Sequence, residues 1–235
     1  MTTILIVEPV VMQIDEEELP YLAAVKASET DLRFATIDSG PVSIETFYDE
    51  AQAVPAVLRL LEREAAGCDA VVIDCFADPA VRPARELIDI PVVGPAEASM
   101  ALALQLGHRF AVVSVFGNAA PWIELQARAM GLEKRLAAAV GVDIPVLELA
   151  EDLEATAAAL FEAARDCIDR RGADVIVLGC TGMYSVAARL RTQLDVPVVE
   201  PLAAALKTAE SLAVLGLAHS HGGLYCRPNK DKLVP

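Results

Sequence analysis

Asp69-Ala-Val-Val-Ile-Asp-Cys75 recurs in pattern as Asp174-Val-Ile-Val-Leu-Gly-Cys180. The two segments are offset by 105 residues (180 − 75), and each places a cysteine at the end of an apolar, β-branched run. Further along, Ile90-Pro-Val-Val-Gly-Pro95 recurs as Val196-Pro-Val-Val-Glu-Pro201, at an offset of 106 residues (197 − 91). The repeat indicates two halves of similar fold, each of about one hundred residues, which is a common domain size.

Short β-branched runs alternate with longer helical patterns in both halves, which is typical of βα units and a parallel sheet. The strands of the first half are predicted at Ile4–Val7, Leu32–Asp38, Ala70–Cys75 and Pro91–Gly94. Those of the second half are predicted at Phe110–Val115, Ile144–Leu149, Val175–Cys180 and Pro197–Glu200. The expected fold class is α/β, with two pseudo-symmetric doubly wound domains that each contain a four-stranded parallel sheet.

Two helices are predicted to cross between the halves, at Ala96–Gly107 and Leu202–Gly216. We therefore expect residues 1–97 plus 205–235 to form the first α/β domain and residues 98–204 to form the second.

The clearest single helix is predicted at Glu151–Arg171, with acids in its first turn and Gly172 as its stop signal. The acidic run Asp15–Glu18 is interpreted as the solvated first turn of another helix. The polar segment His219–Pro235 is predicted to be a loosely packed tail.

The composition excludes several classes of protein. A hydrophobic fraction of 54% supports a substantial core, and the formal net charge of −15 argues against nucleic acid or an anionic membrane surface as a partner. The sequence shows neither an apolar run long enough to span a membrane nor a signal peptide at its start. Five cysteines, an odd number, suit a reducing compartment. We expect a cytoplasmic protein with a small-molecule ligand.

Cys75 and Cys180 are the candidate catalytic residues, because the repeat preserves both of them at a strand end. Ligands of doubly wound sheets bind beside the carboxyl ends of the strands, so both thiols are expected there. Cys167 is interpreted as a core residue of its helix, while Cys68 and Cys226 have no counterpart in the repeat. A cofactor-free racemase needs two opposed acid/base groups, one to remove a proton and one to return it.

The two thiols are predicted to differ in charge. Cys180 precedes a helix start and the flexible Thr181-Gly182, which should lower its pKa. Cys75 stands between Asp74 and Asp78, whose charges should raise its pKa. We therefore expect Cys180 as a thiolate and Cys75 as a thiol. The alternative is that both cysteines are small buried hydrophobic residues without chemistry.

Metal and cofactor motifs are weak in this chain. His219-Ser-His221 with Cys226 could hold a metal, but a polar tail is the preferred interpretation. The sequence contains no Gly-rich phosphate loop, HExxH or CxxC motif. We expect no metal and no cofactor.

Six segments spread over nearly the whole chain resemble one known family. They are Gly40-Pro-Val-Ser-Ile-Glu45, Tyr48-Asp-Glu-Ala51, Cys75-Phe-Ala-Asp-Pro79, Leu106-Gly-His-Arg-Phe110, Asp143-Ile-Pro-Val-Leu147 and Gly179-Cys180. Together they are similar to the aspartate/glutamate/hydantoin racemase superfamily, and within it to the hydantoin and allantoin racemase branch.

The resemblance implies a site in the cleft between the halves, with Cys75 and Cys180 on opposite faces of the substrate carbon. It also implies racemisation without metal or pyridoxal cofactor. The substrate-binding residues implied near the two thiols are Phe76, Ala77, Thr181 and Gly182, with Phe116, Gly117 and Asn118 nearby.

The chain departs from the family after its first strand. The family usually carries Asn-Pro-Asn-Thr/Ser there, whereas this chain has Glu8-Pro9-Val10-Val-Met12, so an acid replaces the first amide. The three residues Glu8, Pro9 and Val10 remain candidates for substrate binding. Extra carboxylates should disfavour a free α-carboxylate in the substrate and favour ring N–H donors or a cation.

The predicted function is therefore that of a cofactor-independent two-cysteine racemase at a carbon next to a carbonyl, with a 5-substituted hydantoin or allantoin as substrate. The alternatives are a related amino-acid racemase, decarboxylase or isomerase of the same superfamily, or a non-enzymatic small-molecule binding protein. A homo-oligomer is expected from the apolar composition and the crossing helices.

Overall fold

The computed structural model describes residues 1–12, 16–149 and 151–229, and within this part of the chain eight strands form two sheets. The first sheet has the order β2-β1-β3-β4. Its strands are β1 (Thr2–Glu8), β2 (Thr30–Thr36), β3 (Ala70–Ile73) and β4 (Val92–Val93). The second sheet has the order β6-β5-β7-β8. Its strands are β5 (Phe110–Ser114), β6 (Leu136–Gly141), β7 (Val175–Leu178) and β8 (Val198–Val199). All neighbours pair in parallel, so the predicted pair of pseudo-symmetric four-stranded α/β sheets is confirmed.

Eight α-helices connect and cover these strands in the described ranges. They are α1 (Glu18–Val25), α2 (Phe47–Glu64), α3 (Val81–Leu87), α4 (Pro95–Leu106), α5 (Ala119–Ala129), α6 (Leu153–Arg171), α7 (Tyr184–Gln193) and α8 (Pro201–Val214). None of these helices is long and apolar enough to cross a bilayer.

The prediction of a strand at Ile144–Leu149 is wrong. The strand that pairs with β5 on the outer side of the sheet is β6. Pro145 interrupts the expected segment, which forms a 3₁₀ turn at Val146–Glu148. The preceding Asp143 has a φ of +54°, which breaks an extended path. The alanine-rich β6 is an edge strand that lacks β-branched enrichment, and strand propensity depends strongly on such context.

Helix α6 follows the prediction closely, although it begins two residues later than expected. The side chain of Asp152 accepts a hydrogen bond from the Ala155 amide at the helix start. Gly172 ends the helix with a φ of +69°, a conformation that glycine adopts without the strain of a Cβ.

Helices α4 and α8 cross between the halves as predicted. The helix α4 follows the first sheet but packs against β5 and β7 of the second, while α8 follows the second sheet and packs against β1 and β3 of the first. The two helices also pack against each other. One apolar cluster therefore runs through both halves, from Ile4 and Val72 to Phe110 and Val175. The division into residues 1–97 plus 205–235 and residues 98–204 stays a prediction.

The N-termini of these crossing helices are capped at equivalent positions by different residues. Glu200 accepts hydrogen bonds from the Leu202 and Ala203 amides, both at 2.7 Å. In the first half, Asp78 accepts them from the Ala96 and Glu97 amides, both at 2.9 Å. The repeat places Gly94 where the second half has Glu200, and a Cβ at Gly94 would lie 2.3 Å from the Asp78 carboxyl carbon. The glycine therefore makes room for the cap, which also anchors the loop after Cys75.

The tail expected to pack loosely begins at His219; most of residues 219–229 are exposed, but His219, His221 and Tyr225 hold it to the first half, and residues 230–235 lie outside the described part. The Val92 amide, at the sheet edge, donates to Nε2 of His219 at 2.6 Å. Arg85 donates to the Tyr225 hydroxyl at 3.1 Å, and His221 pairs with Asp89 at 3.2 Å. His219 therefore satisfies a backbone amide at the edge of the first sheet, and the other two contacts hold the tail against α3 and the loop that follows it.

Candidate active site

Both repeat cysteines line one cavity of about 570 Å³, built from both halves of the chain. The strands β3 and β7 end at Ile73 and Leu178, so Cys75 and Cys180 lie two residues beyond the strands that were expected to contain them. Each thiol accepts a hydrogen bond from the amide two residues further on, Ala77 for Cys75 and Gly182 for Cys180. The pseudo-symmetry therefore extends from the sheets to the surroundings of each sulfur atom.

The predicted thiolate at Cys180 does not agree with its surroundings. Burial raises the pKa of the Cys180 thiol to about 12, and this effect outweighs the Gly182 hydrogen bond. The nearby carboxylates of Asp74 and Glu200 raise it further. The 3₁₀ turn at Thr181–Met183 gives Cys180 the expected place before a helix, but the desolvation of the thiolate is the larger effect.

Burial also raises the pKa of the Cys75 thiol, so both groups favour the protonated form in the free protein. The neighbouring Cys180 raises it as well, followed by Asp74 and Asp78. The effect of Cys180 on the pKa of Cys75 indicates that the two sulfur atoms lie near each other in the cavity.

Three buried carboxylates, Glu8, Glu18 and Asp74, gather at this cavity. One carboxylate oxygen of each lies within 4.8 Å of the others, which makes this the one acidic group among the described residues that could hold a metal ion. Burial raises the pKa of Asp74 to about 6. The prediction that the acidic run is solvated is therefore wrong for Glu18. It is confirmed for Glu16 and Glu17, which are exposed, while Asp15 lies outside the described residues.

Most of the predicted binding residues line the same cavity. Those that do so are Glu8, Val10, Phe76, Ala77, Phe116, Thr181 and Gly182. Pro9, Gly117 and Asn118 are not among its lining residues. The Gly117 amide instead donates to Asp143 at 2.8 Å, and Asn118 precedes α5. The suggested metal residues of the tail do not assemble, because His219 binds the Val92 amide and His221 binds Asp89.

Several residues line the cavity that no sequence pattern had pointed to. Trp122 and Gln126 lie four residues apart on one face of α5, and the Gln126 amide donates to the Phe76 carbonyl at 3.0 Å. Tyr184 at the start of α7 stacks on Tyr21, with ring centroids 5.2 Å apart.

Residues 20–209 match the family model described as Asp/Glu/Hydantoin racemase. The chain belongs to this family. The enzyme class expected from the sequence, a racemase among the isomerases, is confirmed at this level.

Several relatives in this family share most of their length with the chain. It is 35% identical over 215 residues to a hydantoin racemase of Pseudomonas sp. (strain NS671), covering 90% of this chain and 86% of that protein. An allantoin racemase from Klebsiella pneumoniae has the same fold, with a TM-score of 0.93 and 33% identity over 100% of this chain and 97% of that one. The allantoin racemase from Pseudomonas fluorescens gives a TM-score of 0.94 at 31% identity, with 100% of both chains covered.

Proposed function

We propose that the chain is a cofactor-independent racemase of a 5-substituted hydantoin or of allantoin, with Cys75 and Cys180 as its two acid/base groups. One observation carries the proposal: the two thiols reach a single cavity from equivalent positions of the repeat. Relatives named hydantoin racemase and allantoin racemase support the substrate class.

The proton transfer needs one thiolate and one thiol. The thiolate removes the proton from the ring carbon next to the carbonyl, which leaves an enolate, and the opposite thiol donates its proton to the other face. The charge is thereby exchanged between the sulfur atoms, so the enzyme is ready for the opposite enantiomer. Backbone amides at Phe76 and Thr181–Gly182 are the proposed donors to the enolate oxygen.

The walls of the cavity support this chemistry. Phe76, Phe116 and Trp122 exclude water from the site, which strengthens the interaction of an enolate with nearby donors. The acids Glu8 and Asp74 repel a free carboxylate, and this favours a ring ureide over aspartate or glutamate. A cytoplasmic location and a homo-oligomeric state belong to the same proposal, and light scattering of the purified protein tests the latter.

The proposal is tested by proton NMR in heavy water with an enantiopure 5-alkylhydantoin and (S)-allantoin. We expect loss of the ring C–H signal together with loss of optical rotation, above the spontaneous rate measured with a Cys75→Ser/Cys180→Ser double variant. Each single variant should lose at least 100-fold in racemisation, since general acid/base groups contribute about 10²–10⁴-fold. Full racemase activity in either single variant would contradict the two-cysteine mechanism.

A further inference from the structure

The acidic pole of the cavity, defined as Glu8, Glu18 and Asp74, brings together three elements that are distant in sequence. Glu8 ends β1, Glu18 begins α1 and Asp74 follows β3, yet one oxygen from each lies within 4.8 Å of the others. All three side chains are buried. Placing three acids so close in a low-dielectric site destabilises the fold unless positive charge or protons balance them.

Asp74 gives an independent sign that the pole faces a ligand. Its side chain lines the cavity and is only 5% exposed. Neither of its oxygens accepts a hydrogen bond of good geometry from the described residues, although the Thr181 hydroxyl and the carboxyl groups of Glu18 and Glu8 lie close enough for weaker hydrogen bonds that lower its pKa. A buried carboxylate in this situation is suited to a ligand that donates hydrogen bonds.

Among the described residues that line the cavity there is no lysine, arginine or histidine, and Glu17 adds a further acid. The rest of the wall is largely apolar, with Val42, Phe116, Trp122 and Leu147 among its residues. An occupant that matches both parts combines a positively charged group with an apolar body, and the volume of about 570 Å³ suits a small organic molecule.

We propose that the acidic pole binds a protonated nitrogen of the substrate, so that the enzyme selects a ring ureide whose substituent ends in an ammonium or guanidinium group. This inference rests on the proposed function and specifies its substrate class. Three oxygens that surround one ammonium nitrogen tetrahedrally, each at a hydrogen-bond distance of about 2.8 Å, are about 4.6 Å from one another. The three carboxylate oxygens of the pole lie within 4.8 Å of one another, so their spacing suits such a group.

A cationic substituent would also affect the two thiols. The charge of Asp74 raises the pKa of both Cys75 and Cys180. A positive charge bound at the pole offsets that effect and makes the thiolate easier to form when substrate is present. Substrate recognition and activation of the base are coupled in this way, and the free protein keeps its thiols protonated.

The test compares two substrates of matched size. Enantiopure 5-(4-aminobutyl)hydantoin carries an ammonium group, and 5-pentylhydantoin replaces that nitrogen by a methyl group. We expect kcat/KM for loss of optical rotation to be at least tenfold higher for the cationic substrate, with most of the difference in KM. The Glu8→Gln and Asp74→Asn variants should bring the ratio of the two values toward one. Glu124→Gln, which removes an exposed acid from α5, is the control and should keep the ratio.

A second readout does not depend on turnover. Butylguanidinium and butylurea have the same shape but differ in charge, and each is tested for protection of Cys75 and Cys180 from iodoacetamide. We expect protection by the cation, lost in Glu8→Gln, and little protection by the urea. If neither hydantoin is racemised but the cation protects, the proposed function fails while the binding of a cation at the acidic pole stands.

Two results overturn the inference. Equal kcat/KM values for both hydantoins would be consistent with the proposed racemase function but would contradict a preference for a cationic substituent. Thermal stabilisation by Mn²⁺ or Ca²⁺ that Glu8→Gln abolishes, without protection by butylguanidinium, would make the pole a metal site instead.

Discussion

At the scale of single residues, the site combines three groups whose charged forms prefer water. Cys75, Cys180 and Asp74 all have raised pKa values, and burial is the largest cause in each case. Burying these groups costs free energy in the folded protein. A ligand that restores their hydrogen bonds or balances their charge recovers part of that cost, and its binding is therefore favoured. Such clusters of shifted pKa values are typical of functional sites.

Asp74→Asn should stabilise the protein at alkaline pH. The pKa of Asp74 is raised from 3.8 to about 6, so below pH 4 the carboxyl group is protonated in both states and causes no loss. Between pH 4 and pH 6 the unfolded state is ionised while the buried acid stays protonated, so stability falls as the pH rises and is lower by about 3 kcal/mol once the folded-state pKa of about 6 is passed. We expect the variant to unfold at higher urea than the parent at pH 8, and the difference to shrink by pH 4. Asp31→Asn, at an exposed position on β2, is the control.

Alkylation of the two cysteines should accelerate with pH without a plateau below pH 9. Because burial raises the pKa of Cys180 to about 12 and also raises that of Cys75, the thiolate fraction grows about tenfold per pH unit over this range. Mass spectrometry of iodoacetamide-treated protein measures both rates separately. A plateau near pH 8 at Cys180 would support the thiolate that the sequence alone predicted.

At the scale of elements, the crossing helices hold the cysteine loops in place. The helix α4 receives its N-terminal cap from Asp78, three residues after Cys75, and this links the start of the helix to the loop that carries Cys75. Asp78 has a φ of +54°, a conformation that is uncommon outside glycine, and the two amide hydrogen bonds help to hold it.

Gly94→Ala should destabilise the protein by about 1–3 kcal/mol, because the new Cβ would lie 2.3 Å from the Asp78 carboxyl carbon and displace the cap. Urea denaturation measures the loss, and racemase activity should fall with it as the Cys75 loop moves. Gly223→Ala is the matched control, since a Cβ there has no neighbour within 4 Å. A double-mutant cycle with Asp78→Ala should be strongly non-additive, and additive effects would contradict the steric explanation.

At the scale of the whole molecule, the site depends on how the two halves are held together. The Gln126 side chain, on α5 of the second half, donates to the Phe76 carbonyl beside Cys75 in the first. Phe47 of the first half packs on Trp122 of the second, with ring centroids 4.6 Å apart. Neither half contains a complete cavity by itself.

Gln126→Leu should therefore lower kcat/KM about tenfold while changing the free energy of unfolding by about 1 kcal/mol or less. The variant removes one hydrogen bond between the halves and leaves the Phe76 carbonyl without this donor. Steady-state kinetics and urea denaturation together separate the two effects. Gln105→Leu, at an exposed position of α4, is the control, and an equal loss of activity there would argue against a specific link between the halves.

Sequence reasoning reached the strands that have a clear apolar pattern and failed where context decides. It placed seven strands near their observed positions, but it assigned Ile144–Leu149 to the sheet in place of the alanine-rich β6. An edge strand needs no strong propensity when its partner β5 fixes its position. Similarly, the acid of Glu18 looks solvated in sequence because nothing local shows that α1 turns this residue toward the cavity.

The sequence by itself determined the duplicated α/β fold, the equivalence of Cys75 and Cys180, and the unusual acid at Glu8, because a repeat and a strand pattern are local properties of the chain. Only the tertiary structure decided the charge state of the thiols and the union of Glu8, Glu18 and Asp74 in one acidic pole. Desolvation and the distances between charges depend on which segments pack together, and no single segment of the sequence determines that packing.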